Sequence, residues 1–384
     1  MSHLSYMEKL LDGVDVNWEP LDKVFNIYAG GDVPKDALSD IETEEFNIPI
    51  LSNGIGDKSL YGWTNQAKIE KPSLTISARG TIGWTSYRNR PFFPIVRLLV
   101  LTPKVELNLK YAYYFMKMIE NNYKVAPAGI PQLTKPMLKN ILIPIPCPNN
   151  PEKSLAIQAE IVRILDGFNA LIAELTTELN MRKKQYSHYQ FELLKFTETT
   201  QQISIGECCD IKKGATPIKK ATPGKFPLVA TTEERQSSSE YQFDCPAVCV
   251  PLISSRGHGV ASIDRIYYQD GKFALGNILC AITPNDSEVL SAKFLRYYLF
   301  DKKDVLLVPL MRGGANVSLT MDSLKKVKIP IPPIADQQRI VCALDKFDEF
   351  VKALPCEIEL RQKQYEYYRD LLLSFPQSHS DETA

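Results

Sequence analysis

The chain repeats itself. Residues 158–196 align with residues 337–375 at a constant offset of 179 with no gap, and 16 of the 39 pairs are identical. Among them are Gln158/Gln337, Ile161/Ile340, Val162/Val341, Leu165/Leu344, Asp166/Asp345, Phe168/Phe347, Arg182/Arg361, Tyr186/Tyr365, Tyr189/Tyr368, Leu193/Leu372 and Phe196/Phe375. A period near half of 384 residues means two copies of one plan rather than an array of small repeats. Looser matches with shifting offsets come before each copy. Residues 138–146 answer 324–332, Ile76-Ser77-Ala78-Arg79-Gly80 answers Ile253-Ser254-Ser255-Arg256-Gly257, Tyr113-Tyr114 answers Tyr297-Tyr298, and Gly30 answers Gly214. Each half therefore reads as a variable lobe followed by a well-preserved segment.

The preserved segments carry apolar residues at alternating steps of three and four. The first runs Ile157, Ile161, Ile164, Phe168, Leu171, Leu175, Leu179, Tyr186, Tyr189, Leu193, Phe196. The second runs Ile340, Ala343, Phe347, Phe350, Leu354, Ile358, Tyr365, Tyr368, Leu372, Phe375. That is the seam of a packed helix, with a stutter at 171–175–179 that locally relaxes supercoiling. About 42 residues make a rod of roughly 60 Å. One such helix cannot bury its stripe alone, whereas two copies in one chain can pack on each other. An antiparallel pair would hold the lobes at opposite ends. Pro355 predicts a kink or break in the second helix. Arg182 and Arg361 occupy seam positions, either pairing with a carboxylate such as Glu178 or Glu357 or pinning the register of the two helices. Tyr6-Met7-Glu8-Lys9-Leu10-Leu11 resembles Tyr189-Gln190-Phe191-Glu192-Leu193-Leu194, so it reads as the tail of a third copy and implies that the chain ends lie near each other.

The resulting organisation is α+β with a pseudo-two-fold internal repeat. It comprises an N-terminal helix tail (1–13), lobe one (14–150), helix one (151–200), lobe two (201–333), helix two (334–376) and a disordered tail (377–384). Charge partitions with it. Counted over 14–150, lobe one has 15 Lys+Arg against 13 Asp+Glu; counted over 202–333, lobe two has 17 against 13. Helix one (151–201) has 6 against 7, and helix two (334–384) has 6 against 10. Mildly basic lobes and acidic helices suit lobes that meet a polyanion and helices that meet protein. The whole chain has 45 of each sign, which excludes a polycationic coat protein. No apolar run reaches the roughly 18 residues that span a membrane, and the N-terminus lacks a signal-peptide pattern. Eight cysteines without regular spacing suit a reducing cytoplasm.

The lobes read as short strands and loops. Strands are expected at 48–51, 74–77 and 95–101, matched by 226–230, 247–253 and 277–282, with helices at 109–120 and 292–301. No phosphate-binding glycine loop, dinucleotide fingerprint, histidine pair at metal spacing or nucleophile–base arrangement occurs. Cys208, Cys209, Cys245, Cys249 and His258 form a conceivable zinc set, but the spacing fits no common pattern and lobe one has no equivalent, so buried free thiols are the simpler reading. Basic, glycine-bearing loops are the better candidates for chemistry. Arg79-Gly80 and Arg256-Gly257 follow strands in both lobes; Lys212, Lys213, Lys219 and Lys220 flank Gly214; Arg312 and Asn316 sit in a Gly-rich loop. Glycine lets backbone approach a phosphate, and Arg or Asn can read base edges. The same recurrence also fits a structural role in which the Arg braces its loop.

Two runs are specific to a family. They are Ile329-Pro330-Ile331-Pro332-Pro333-Ile334-Ala335-Asp336-Gln337-Gln338-Arg339-Ile340-Val341 and Arg361-Gln362-Lys363-Gln364-Tyr365-Glu366-Tyr367-Tyr368-Arg369-Asp370-Leu371-Leu372. The first half has worn versions at 158–162 and 182–186. Over nearly its whole length the chain resembles the specificity subunits of type I restriction–modification systems. The resemblance implies two target-recognition lobes, each reading one half of a bipartite sequence in double-stranded DNA. It also implies an antiparallel coiled coil that measures the unread spacer and docks two modification (methyltransferase) subunits. The seam of that coil would include Ile161, Phe168, Leu175, Tyr189, Ile340, Phe347, Ile358 and Tyr368. S-adenosylmethionine, ATP and Mg2+ would reside on partner subunits, restriction subunits would supply translocation and cleavage, and this chain would be non-catalytic. From the residues alone, a rod of roughly 60 Å limits the span to about 18 base pairs of B-DNA. A scaffold whose lobes bind proteins stands as the alternative. It is distinguished by lacking salt-dependent affinity for duplex DNA.

Overall fold

The computed structural model describes residues 10, 11, 13–123, 131–197, 199–217, 221–232, 236–255, 263–313 and 316–375, with the side chains of 254, 255 and 316 outside that description. The chain divides into two compact units. One comprises Met1–Thr176 with Glu357–Ala384, and the other is Thr177–Cys356. Each unit thus contains one lobe, one half of the first long helix (Pro151–Leu193) and the complementary half of the second (Ile334–Leu373).

The central sheets of the two lobes share a topology. In lobe one a four-stranded antiparallel sheet has the order Phe25–Ala29, Leu98–Pro103, Ser73–Ser77, Thr85–Arg88. In lobe two the order is Cys209–Lys213, Leu279–Pro284, Ala247–Pro251, Tyr267–Gln269. Ser73–Ser77 and Ala247–Pro251 are buried at every position, because both faces of these inner strands are covered. A second sheet in each lobe contains one parallel pair, Ile48–Leu51 with Phe93–Pro94 and Phe226–Val229 with Lys272–Leu275. The proline-rich segments close each lobe as two-stranded ribbons. Leu142–Pro146 pairs with Val16–Pro20, and Lys328–Pro330 with Gln202–Ser204. A two-stranded ribbon tolerates proline because each strand has a free edge for the position without an N–H. The strand expected at 95–101 starts only at Leu98, because Arg97 turns the backbone through a left-handed conformation (φ 73°).

The helix contacts are the same in both units with the copies exchanged. In the first, Ile161 and Leu165 share a buried cluster with Leu372, Leu373 and Phe375, and Phe168 stacks on Tyr368 at 5.4 Å. In the second, Ile340 and Leu344 share a cluster with Leu194, against which Leu193 and Phe196 pack, and Phe347 stacks on Tyr189 at 5.1 Å. Partner numbers fall as helix numbers rise, so the halves packed within each unit run antiparallel. Leu10 and Leu11 pack into the cluster that holds Leu373 and Phe375, so the described ends of the chain meet in the first unit.

Several expectations are corrected. The second long helix is not broken at Pro355 but runs on as one 40-residue element. Helical turns held on both sides outweigh the missing hydrogen bond, since propagation from an existing helix is cooperative. Phe350, placed on the seam by spacing, is 66% exposed. Leu175 and Ile358 are half-buried and Tyr189 is 45% exposed, so burial concentrates where the helices meet the lobes. Arg182 and Arg361 donate to Glu178 and Glu357 one turn away (2.6 and 2.8 Å), which identifies the pairing role rather than a cross-helix pin.

Candidate nucleic-acid interface

Lobe one presents a basic depression of about 430 Å³ lined by residues that include Gly30, Arg79, Arg97 and Gln132, with no carboxylate in its wall among the described residues. Arg79 follows the strand Ser73–Ser77, and Gly80 after it adopts φ 72°, a conformation that glycine takes without strain. The loop is braced by Asn53. Its Nδ2 donates to the Arg79 carbonyl (2.6 Å), and its own carbonyl accepts from Ser77 Oγ (3.0 Å) and Thr81 Oγ1 (2.6 Å). The bracing therefore falls to Asn53, while Arg79 is among the residues that line the depression. Arg79 Nε is buried without a hydrogen-bond partner among the described residues. Arg97 was not picked out by sequence reasoning, because a left-handed arginine has no local signature. A non-glycine residue held there is strained backbone, a feature that concentrates at binding sites. Gly30 and Gly214 hold the same position in the two lobes. A Cβ on Gly30 would lie 1.9 Å from the Ile95 carbonyl oxygen, and one on Gly214 would lie 2.1 Å from that of Gly276.

In lobe two, Lys212 and Lys213 are both exposed at the end of Cys209–Lys213. Lys212 pairs with Asp210 at 2.8 Å, which raises the lysine's pKa and lowers that of the carboxyl. The exit from this strand is held by Gln242, which donates to the Lys213 carbonyl and accepts from the Ala215 N–H, both at 2.9 Å. Arg312 lies on another sheet and donates to the Pro309 carbonyl (2.9 Å). Asn316 is placed by backbone alone, paired with Ser255. Lys219, Lys220, Arg256, Gly257 and His258 lie outside the described residues. Cys209 and Cys249 are buried, Cys208 and Cys245 half-buried, and among the described residues no cluster of three His, Cys, Asp or Glu side chains could hold a metal. No helix among those residues is long and apolar enough to cross a membrane.

A sequence profile described as the type I restriction modification DNA specificity domain matches residues 15–182 and again residues 197–360. The chain belongs to this family. It is 34% identical to the type I restriction enzyme EcoR124I/EcoR124II specificity subunit of Escherichia coli, over 98% of each chain. It is 29% identical to the type I restriction enzyme EcoprrI specificity subunit of the same organism, over 92% of this chain and 93% of that one. A type I restriction–modification S subunit from M. genitalium has the same fold, with a TM-score of 0.63 at 17% identity, over 95% of this chain and 98% of that one.

Both specificity domains join lobe to long helix through the same side chains, whose roles were not legible in the repeat. In the first, the Asn108 N–H donates to Gln158 Oε1 (2.9 Å), while Lys110 Nζ and Tyr114 OH donate to the two oxygens of Asp166 (2.6 Å each). In the second, the Ser291 N–H donates to Gln337 Oε1 (2.9 Å), and Lys293 Nζ and Tyr297 OH donate to Asp345 (2.8 and 2.7 Å). Burial opposes ionisation of Asp345, but hydrogen bonds from Lys293 and Tyr297, together with the Lys293 charge, outweigh it and hold the carboxyl below its usual range. Burial, aided by Asp166, pushes the Tyr114 hydroxyl far above its ordinary value, so it acts as a donor. These contacts correct the alignment of the lobes. Tyr114, not Tyr113, corresponds to Tyr297, at an offset of 183.

Proposed function

We propose that the chain is the DNA sequence-specificity subunit of a type I restriction–modification complex, with each lobe reading one half of a bipartite duplex target. The observation that carries this reading is one family domain present twice, on lobes that share a sheet topology but differ in their loops. Two readers of one architecture and unlike loops suit an asymmetric composite site. The lobe-one depression, with Arg79 and Arg97 and no carboxylate among the described residues of its wall, supports contact with the DNA backbone or base edges. In this reading the chain performs no bond chemistry. Two modification subunits dock on the helices, whose exposed Leu171, Met181, Leu360 and Tyr367 offer apolar surface, and they carry S-adenosylmethionine. Restriction subunits bring ATP and Mg2+. The complex operates in the cytoplasm.

The test is to exchange residues 202–333 for the corresponding segment of a relative and map methylated bases in cells carrying the system. One half-site should change and the other persist. Both half-sites unchanged would overturn the reading.

A further inference from the structure

We infer that Asp166 and Asp345 are positioning residues for target reading: each locks its own lobe to the helix that carries it, and so fixes the length of the unread gap between half-sites. The inference rests on the specificity-subunit reading above.

The lobe helices Leu109–Met118 and Ala292–Asp301 correspond position by position at the offset of 183, and across those ten positions two are identical, Lys110/Lys293 and Tyr114/Tyr297. Those two side chains are the ones that reach Asp166 and Asp345. The apolar neighbours have drifted, Tyr111 against Phe294 and Met116 against Leu299, while remaining buried. Cohesion between lobe and helix therefore survives substitution, because apolar burial is non-directional. The retained polar pair supplies what burial does not, a fixed direction. Charge-assisted hydrogen bonds of 2.6–2.8 Å define angle as well as distance.

Stability does not account for the two lysine–aspartate pairs. The side chains of Lys110 and Asp166 are 43% and 38% exposed, and those of Lys293 and Asp345 are 41% and 35%. Ion pairs so open to solvent contribute little. Gln158 and Gln337 add a further contact at the helix N-cap, almost fully buried (1% and 0% exposed). Gln158 and Asp166 are eight residues apart, about 12 Å along the helix. Contacts that far apart, with two on the aspartate, stop the lobe helix from rolling or sliding. A lobe that rolled would carry its reading loops along the duplex, where one base pair is about 3.4 Å.

The test uses the complete methyltransferase complex containing Tyr114→Phe, Tyr297→Phe, Asp166→Asn or Asp345→Asn, with methylated sites mapped by sequencing. The Tyr→Phe variants keep the ring and the Lys–Asp pair, so the lobe still folds. The expected result is retention of both half-sites together with new sites whose gap is one base pair longer or shorter, enriched about tenfold over wild type. An unchanged gap distribution in the Tyr→Phe variants overturns the inference, as does a uniform loss of methylation at all sites. If the wild-type complex itself shows no bipartite target, the specificity reading fails instead.

Discussion

Asn53 and Arg79 divide one loop's work between them, and the division is measurable. Asn53 makes three hydrogen bonds that close the Arg79-Gly80 turn, one through its side chain and two through its backbone carbonyl, whereas Arg79 lines the depression together with Arg97. Asn53→Ala keeps the two bonds to its backbone carbonyl and removes the side-chain bond to the Arg79 carbonyl, so it should destabilise the lobe by about 1 kcal/mol, read as a lower thermal midpoint. Arg79→Ala should leave that midpoint close to wild type and weaken DNA binding evenly across sequences, with the salt dependence reduced by about one ion. A thermal loss in Arg79→Ala as large as that in Asn53→Ala would contradict the assignment. The recurrence of Arg-Gly drew attention to this loop. Recognising its brace required Asn53, 26 residues earlier in the chain, and no periodicity connects residues across such a distance.

Among the elements, the long helices were the most legible, because apolar residues spaced by three and four over forty positions fit a packed helix and fit neither a strand nor a loop. What the spacing overstated was burial. Phe350 fits the seam by number yet stands exposed, since a helix pair buries a narrow stripe and side-chain direction decides which residues enter it. Nor does Pro355 end its helix, for turns already formed on both sides carry the helix across a proline that would end an isolated one. The first copy carries Thr176 at the corresponding position. Replacing Pro355 by Ala should raise stability by up to about 3 kcal/mol, measured by denaturant unfolding. A decrease would mean that the proline shapes a contact the helix needs.

At the scale of the whole chain, the same lobe-and-helix unit occurs twice, and the described ends of the polypeptide meet inside one unit. Leu10, Leu11 and Phe375 share a cluster, much as Leu193, Leu194 and Phe196 do where the chain continues from the first helix into lobe two. A circular permutant that joins the ends with a short linker and opens the chain between Thr199 and Thr200 should fold with native helix content by circular dichroism and should methylate the same target. Loss of folding would show that the link from helix one to lobe two is required and has no counterpart at the chain ends.

The sequence by itself determined the duplication, the two long helices, the position of the lobes and the family, because periodicity and internal identity are one-dimensional signals. The tertiary structure alone decided which identities mattered. Gln158 and Asp166 were visible as repeated letters, but their partners Asn108, Lys110 and Tyr114 lie about fifty residues away at a different offset, 183 rather than 179. Insertions and deletions between lobe and helix break a common register in the sequence. Hydrogen bonds depend on distance in space, so they keep the pairing that the numbering loses.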